Sequence, residues 1–294
     1  MFHVKQEIRR LVAGEEAALD AFLSAHTDSS MFLRSNLRQV GFVDRGEPYQ
    51  AIYVAAFDRG TIIGVAGHCW NGMLLVQAPQ LVESLAPAVV AASRRRVLGL
   101  SGPGGQVARA RQALGLEAAS TLEASIEDLF ALDLDVMKIP VGLSERRVTV
   151  RHPRTAEIDL MADWSAAFHC EALGFADGPE LRRNCADQVG RLQVEQAQFV
   201  LDLGGAPVAY AAFNANLPDT VQLGGVWTPS EHRGRGYARS VVAGALLMAR
   251  RAGVRRAVLF TAADNRAAQA AYVSLGFTKV GEYGLVVFAG FGRL

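Results

Sequence analysis

The segment Arg233-Gly234-Arg235-Gly236-Tyr237-Ala238 has the residue types of an anion-binding turn. Glycine has no Cβ, so an oxyanion can approach its main chain closely, and positive φ costs it little. The apolar residues that follow, Val241, Val242, Ala245, Leu246 and Ala249, recur at helical spacing. The turn therefore feeds a helix start. First-turn N–H groups there lack intrahelical partners and stand at the positive end of the helix dipole, an arrangement that binds phosphate oxygens. Arg233, Arg235 and Arg239 add positive charge around the same spot.

Two commoner nucleotide turns do not fit. A P-loop needs Lys-Ser/Thr after its last glycine, and Tyr237-Ala238 stand there. A dinucleotide fingerprint needs a third small residue where Arg239 lies. It also needs an acidic residue about 20 positions on, where Arg255 and Arg256 are found.

The elements around the turn narrow the reading. A strand-like run, Val221 to Trp227, precedes it and is closed by Pro229. After the helix come Gly253 as a C-cap and a strand over Ala257–Thr261. Asn265 opens a second helix through Ala268 and Ala271 to Tyr272, closed by Leu275-Gly276-Phe277, and the apolar run Tyr283 to Phe288 follows. Strand, anion turn, helix, strand, Asn-x-x-Ala-x-x-x-Tyr-x-x-x-Gly-Phe and strand, in that order, resembles the GNAT superfamily of acyl-CoA-dependent N-acyltransferases. The match covers about residues 197–288, with compatible elements back to about 147.

The resemblance implies a cosubstrate, acetyl-CoA or another acyl-CoA, lying where the strands Val221–Trp227 and Ala257–Thr261 part. It implies that the Val226-Trp227-Thr228 stretch meets the pantetheine through main-chain groups of Val226 and Thr228. Arg233, Gly234, Arg235, Gly236, Tyr237 and Ala238 would surround the diphosphate, with the amides of residues 235–238 holding it. Asn265 would touch pantetheine or the tyrosine loop, although Asn at a helix start is favoured as a cap without any ligand. Tyr272 would protonate the departing thiolate; a half-buried helix tyrosine with its hydroxyl at the surface is the plainer alternative. The group that deprotonates the acceptor amine stays open. Gln222 stands on the cleft strand where a carboxylate would serve, and His169, Glu171, Glu180, Glu231 and His232 each read first as a solvated surface group, none of them assigned as the base.

The first half repeats the order of the second. Ala51–Ala56, Asp58-Arg59-Gly60 and Thr61–Cys69 read as a hairpin, like Gln198–Asp202, Gly204-Gly205 and Pro207–Phe213. Then follow Met73–Val76, a helix over about Val82–Ser93, a strand Val97–Leu100 and a helix from about Gln106 that ends Ala113-Leu114-Gly115-Leu116. The copies differ by roughly fifteen residues, with the surplus expected largely at the anion turn. The first copy has no Arg-x-x-Gly-x-Ala turn and no Asn/Tyr pair; Gly102-Pro103-Gly104-Gly105 reads as a strand-to-helix turn. The expectation is a mixed α+β (α/β) protein of two tandem GNAT-like domains, each a twisted mixed sheet flanked by helices. Residues 1–140 form the degenerate domain, which supports the other or walls its acceptor pocket; residues 147–294 bind acyl-CoA, and Pro140–Ser144 connect them. Mycothiol synthases are tandem proteins of this kind, and nothing in the sequence selects their substrate.

Composition bounds the rest. The chain has 294 residues, half of them hydrophobic, which suits two cores. A formal net charge of +1 argues against a general nucleic-acid binder or a polybasic membrane anchor. Cys69, Cys170 and Cys185 show no metal spacing, and their odd number suits reduced thiols in a cytoplasmic setting. Met1–Arg10 is polar and lacks a signal-peptide core, and no run reads as a membrane span. The expected partner is a small-molecule or peptide amine, acylated by direct attack in a ternary complex, with no metal; a homodimer is compatible with such folds. A non-catalytic acyl-CoA sensor is the alternative, because no base declares itself.

Overall fold

The computed structural model describes residues 6–290; residues 1–5 of the polar N-terminal segment, and 291–294, lie outside the described residues. Two repeats of one element order follow each other. The first is β1 (Glu7–Arg10), α1 (Glu16–Ser24), α2 (Met31–Val40), β2 (Ala51–Asp58), β3 (Thr61–Cys69), β4 (Met73–Gln77), α3 (Val82–Ser93), β5 (Gly99–Pro103), α4 (Gly104–Ala113) and β6 (Thr121–Asp133). A single helical turn, α5 (Val141–Ser144), occupies the connector. The second repeat is β7 (Thr149–Arg151), α6 (Ile158–Leu173), α7 (Pro179–Val194), β8 (Gln198–Leu203), β9 (Ala206–Asn216), β10 (Thr220–Trp227), α8 (Tyr237–Arg251), β11 (Arg256–Ala262), α9 (Arg266–Leu275) and β12 (Thr278–Phe288). The fold is mixed α+β, with antiparallel hairpins and one parallel pair in each repeat: β4 with β5 and β10 with β11.

A division at 1–140 and 147–294 follows this repeat, but the compact units exchange its terminal strands. One unit runs to Asp128 and takes up the chain again from Gly281; the other runs Leu129–Val280. In the first unit β12 pairs antiparallel with β5, Tyr283 opposite Pro103 and Val287 opposite Gly99. Val286 and Phe288 share its core with Leu74, Val82, Leu85, Val89 and Leu100. A second core on that unit packs Leu19, Leu23, Leu33 and Leu37 against Tyr53, Val65 and Leu75. In the second unit the end of β6 supplies Phe130 and Leu132 to a core built from Val221, Leu223, Val241, Val242, Leu246, Leu259, Tyr272 and Phe277.

The structure shifts two boundaries. The strand expected at Val97–Leu100 is β5, Gly99–Pro103, and the helix expected near Gln106 begins at Gly104. Glycine and proline there read as a turn, but pairing with β12 holds residues through Pro103 in the sheet. Pro103 then stands at the N-cap position of the helix, at φ −53° and ψ 131°, without a side-chain cap. The last strand is longer than the Tyr283–Phe288 run, and β6 was not foreseen. The extra length of the second repeat is divided between the β10–α8 segment and the turn from β11 into α9.

Candidate functional site

β10 and β11 pair only over Thr220–Gln222 against Arg256–Val258. Beyond Gln222 β10 leaves β11 while it stays paired to β9, with register shifts at Gln222/Leu223 and Gly224/Trp227. Gly225, at φ +59°, lies inside the second shift, where an αL residue lets a strand bulge. The parallel pair therefore opens into a cleft on the strand that carries Val226, Trp227 and Thr228.

The glycine segment follows this strand exit along the chain and leads into α8. Gly234 and Gly236 stand at φ +76° and +75°, and Gly236 is the N-cap of α8. The main chain thus turns so that the N–H groups of Tyr237 and Ala238 open the helix, free of intrahelical acceptors. An open depression of about 420 Å³ lies over this start, lined by Gly234, Arg235, Gly236 and Arg239 and, from α9, by Ala270, Ala271 and Ser274. A Cβ on Gly234 would meet nothing within 4 Å, so there is room for a ligand against its backbone; on Gly236 it would meet Arg239 Nε at 2.9 Å. Backbone donors, a helix N-terminus and two guanidinium groups around one hollow fit a diphosphate.

Not every expected residue faces this hollow. Arg233 turns away: its guanidinium pairs with Glu171 of α6 through both oxygens at 2.9 Å, its Nε donates to Thr228 O at 2.9 Å, and it lies 4.9 Å from the Trp227 ring centroid. That clasp uses the Thr228 carbonyl and ties α6 to the strand exit. Asn265 caps α9, its Oδ1 accepting from Ala268 N at 3.1 Å, so the capping role foreseen as the rival is present. Tyr272 is buried, 7% exposed, in edge contact with Phe277 (ring centroids 5.9 Å apart), and is not a surface tyrosine.

The base candidates scatter. His169 is buried between α6 and α7; its Nδ1 donates to Ser165 O at 2.7 Å, and burial lowers its pKa below the ordinary imidazole value, so the ring is neutral with Nε2 as its lone-pair nitrogen. Its other neighbours are Cys185, Phe168 and Phe175. Glu171 is engaged by Arg233. Glu180 is exposed in the first turn of α7. Glu231 is held below the usual carboxylate range by its own backbone N–H and then by Ser230, which disfavours it as a base. His232 packs near Tyr237, ring centroids 6.3 Å apart.

Residues 159–277 match the profile of the acetyltransferase (GNAT) family. The segment 159–277 is a GNAT acetyltransferase domain. No curated protein matches the sequence significantly. Among solved structures, a Drosophila protein superposes with TM-score 0.64 at 14% identity, covering 96% of this chain and 99% of the other. A GNAT protein from Sphaerobacter thermophilus gives 0.56 at 16% identity, over 96% and 94%. A tandem GNAT protein from the clavulanic acid biosynthesis pathway gives 0.54 at 17%, over 99% and 100%. At these identities the likeness is one of fold. The GNAT family and fold imply acyl transfer from acyl-CoA, and the intact turn lies in the second repeat.

Sequence reasoning missed the α9 wall of the hollow, Ala270, Ala271 and Ser274, because small residues on a helix carry no chemical signal. It also missed the Glu171–Arg233 clasp, which depends on where the end of α6 lands.

Proposed function

We propose that the protein transfers the acetyl (acyl) group of acetyl-CoA to a primary amine by direct attack, with Tyr272 as general acid. The observation that carries this reading is the glycine turn at the N-terminus of α8, which follows a parallel strand pair that opens after Gln222. The amides of Arg235, Gly236, Tyr237 and Ala238 bind the diphosphate, with Arg235 and Arg239 over it. A helix dipole alone contributes only ~0.3–2 kcal/mol, so affinity comes from several converging N–H bonds. Val226, Trp227 and Thr228 offer strand backbone to the pantetheine. Arg233 shapes the site through Glu171, and Asn265 fixes the start of the helix that presents Tyr272. Acetyl-CoA supplies the activated carbonyl; the buried Tyr272 hydroxyl holds the proton that passes to the leaving sulfur. The first unit is the degenerate partner without cofactor, and the setting is cytoplasmic, with a homodimer compatible with such a fold.

Phenylalanine at position 272 tests the assignment. Turnover by Tyr272→Phe should fall ~10²–10⁴-fold, with the dissociation constant for acetyl-CoA within about twofold of wild type. Unchanged turnover removes the acid role. One observation favours a second reading, an acyl-CoA sensor: the cleft strand carries the amide Gln222 and no carboxylate. Calorimetric CoA binding without thiol release from any amine would select it.

A further inference from the structure

Among the described residues five buried side-chain nitrogen or oxygen atoms lack a hydrogen-bond partner, and three of them belong to β10 and the segment leaving it: Gln222 Nε2, Thr228 Oγ1 and His232 Nδ1. Leaving a buried donor unmade costs roughly 1–3 kcal/mol, so such a concentration on one strand exit marks a place where something else completes the bonds. Gln222 is the sharpest case. It is 3% exposed and is the last residue of β10 paired with β11.

Side chains alternate along a strand. Val221 and Leu223 point into the core, so Gln222 and Gly224 share the opposite face. A bulge brings a second amide to that face. Gln222 is opposite Ala215 and Leu223 is opposite Phe213, which leaves Asn214 of β9 as the extra residue. A Cβ on Gly224 would collide with the Asn214 carboxamide, so the glycine leaves room for that group. Two primary amides thus flank the point where the cleft opens, one buried and one exposed.

We propose that Gln222 and Asn214 form the acceptor subsite and receive a neutral carbonyl oxygen borne next to the reacting amine, so that the acceptor class is an amino-acid amide or a peptide N-terminus. This rests on the acyltransferase reading above. Amide N–H groups donate to a carbonyl, and their oxygens accept from an adjacent N–H. Neither supplies the charge that desolvating a carboxylate demands, and the neighbouring Arg233 is already paired with Glu171. A site that hydrogen-bonds a substrate group also rejects the analogue without it, because its buried donor is then left unpaired.

The test uses three amines sharing one apolar body: phenylalaninamide, phenylalanine and phenethylamine. Each is titrated calorimetrically into CoA-loaded protein and assayed for thiol release with acetyl-CoA. Phenylalaninamide should exceed the other two at least ~10-fold in affinity and in kcat/KM. Gln222→Met, close in shape but without the amide, should bring the ratio to phenethylamine near one while acetyl-CoA affinity holds. Asn214→Ala, at an exposed position, should reduce the ratio several-fold. A flat or inverted preference, a ratio unmoved by Gln222→Met, or binding of none of the three overturns the subsite. Thiol release with flat preference defeats the subsite and leaves acyl transfer standing; an amide preference in binding, with acetyl-CoA bound and no thiol released, does the reverse.

Discussion

In the first unit Ala78-Pro79-Gln80-Leu81 join β4 to α3, with no glycine and with Leu81 as an αL N-cap at φ 60°. In the second unit residues 228–236 join β10 to α8 and include two positive-φ glycines. The strand pairs differ in the same sense. Beside β4 the equivalent gap is filled: Gln106 Oε1 accepts from Ala78 N at 2.6 Å, and Gly102 lies so close to Val76 that a Cβ there would strike its carbonyl. Beyond Gln222, β10 stays paired with β9 and no longer with β11. The same architecture thus carries a junction closed by a side chain in one repeat and an open one in the other. A buried N–H must find an acceptor, and Ala78 finds Gln106; on the proposed function, the corresponding region of β10 is where acyl-CoA would supply the partner.

The widest break in that comparison comes from Gly236→Val. A β-branched residue at φ +75° is strained by ~1–2 kcal/mol, and its side chain would enter the diphosphate hollow. Acetyl-CoA affinity should fall about 100-fold or more, equivalent to ~2.7 kcal/mol, by calorimetry. Retained affinity would mean that the second unit does not bind through this turn.

The buried histidine of the first unit should show up in pH dependence. Burial, reinforced by Arg95, pushes His68 down to about 4, whereas an unfolded imidazole titrates near ~6.5. The unfolded chain therefore takes up the proton first, and stability falls as pH drops from about 6.5 toward about 4. The loss is on the order of 3 kcal/mol at full titration. Urea unfolding at several pH values should show His68→Gln with a flatter profile, retaining the smaller slope due to His169, whose pKa is also lowered.

Gln106→Ala sharpens the contrast further. It leaves the buried Ala78 N–H without its acceptor and should cost roughly 1–3 kcal/mol of stability, with acetyl-CoA affinity unchanged. A loss of affinity would place cosubstrate in the first unit instead. The smallest effect belongs to Asn265→Ala, which removes a cap worth ~1 kcal/mol. Thermal unfolding should register it, while KM for acetyl-CoA moves less than about twofold if the residue acts only as a cap.

Much of the site was legible locally. Arg233–Ala238 gave the turn because glycine and positive φ are properties of single residues, and Asn265, Tyr272 and Gly276 sit on or beside α9 as their spacing implies. Tyr272 was ambiguous, since burial depends on what packs against the helix. The direction of Arg233 was not legible: the choice between a phosphate and Glu171 is made by the end of α6, far away in sequence. The exchange of terminal strands was equally hidden, because an apolar strand such as Tyr283–Phe288 satisfies any sheet edge of matching register.

Chain order, residue type and spacing by themselves determined that there are two copies of one fold, that the second bears a glycine turn before a helix, and that its phenol lies on the next helix. These follow from local conformational preference and periodicity, which act within a few residues. Only tertiary packing decided where β10 leaves β11, which arginines face the hollow, and that Gln222 and Asn214 lie on one face of the sheet. Those outcomes depend on pairing and burial between segments distant in the chain, where the free energy belongs to the contact and to neither residue alone.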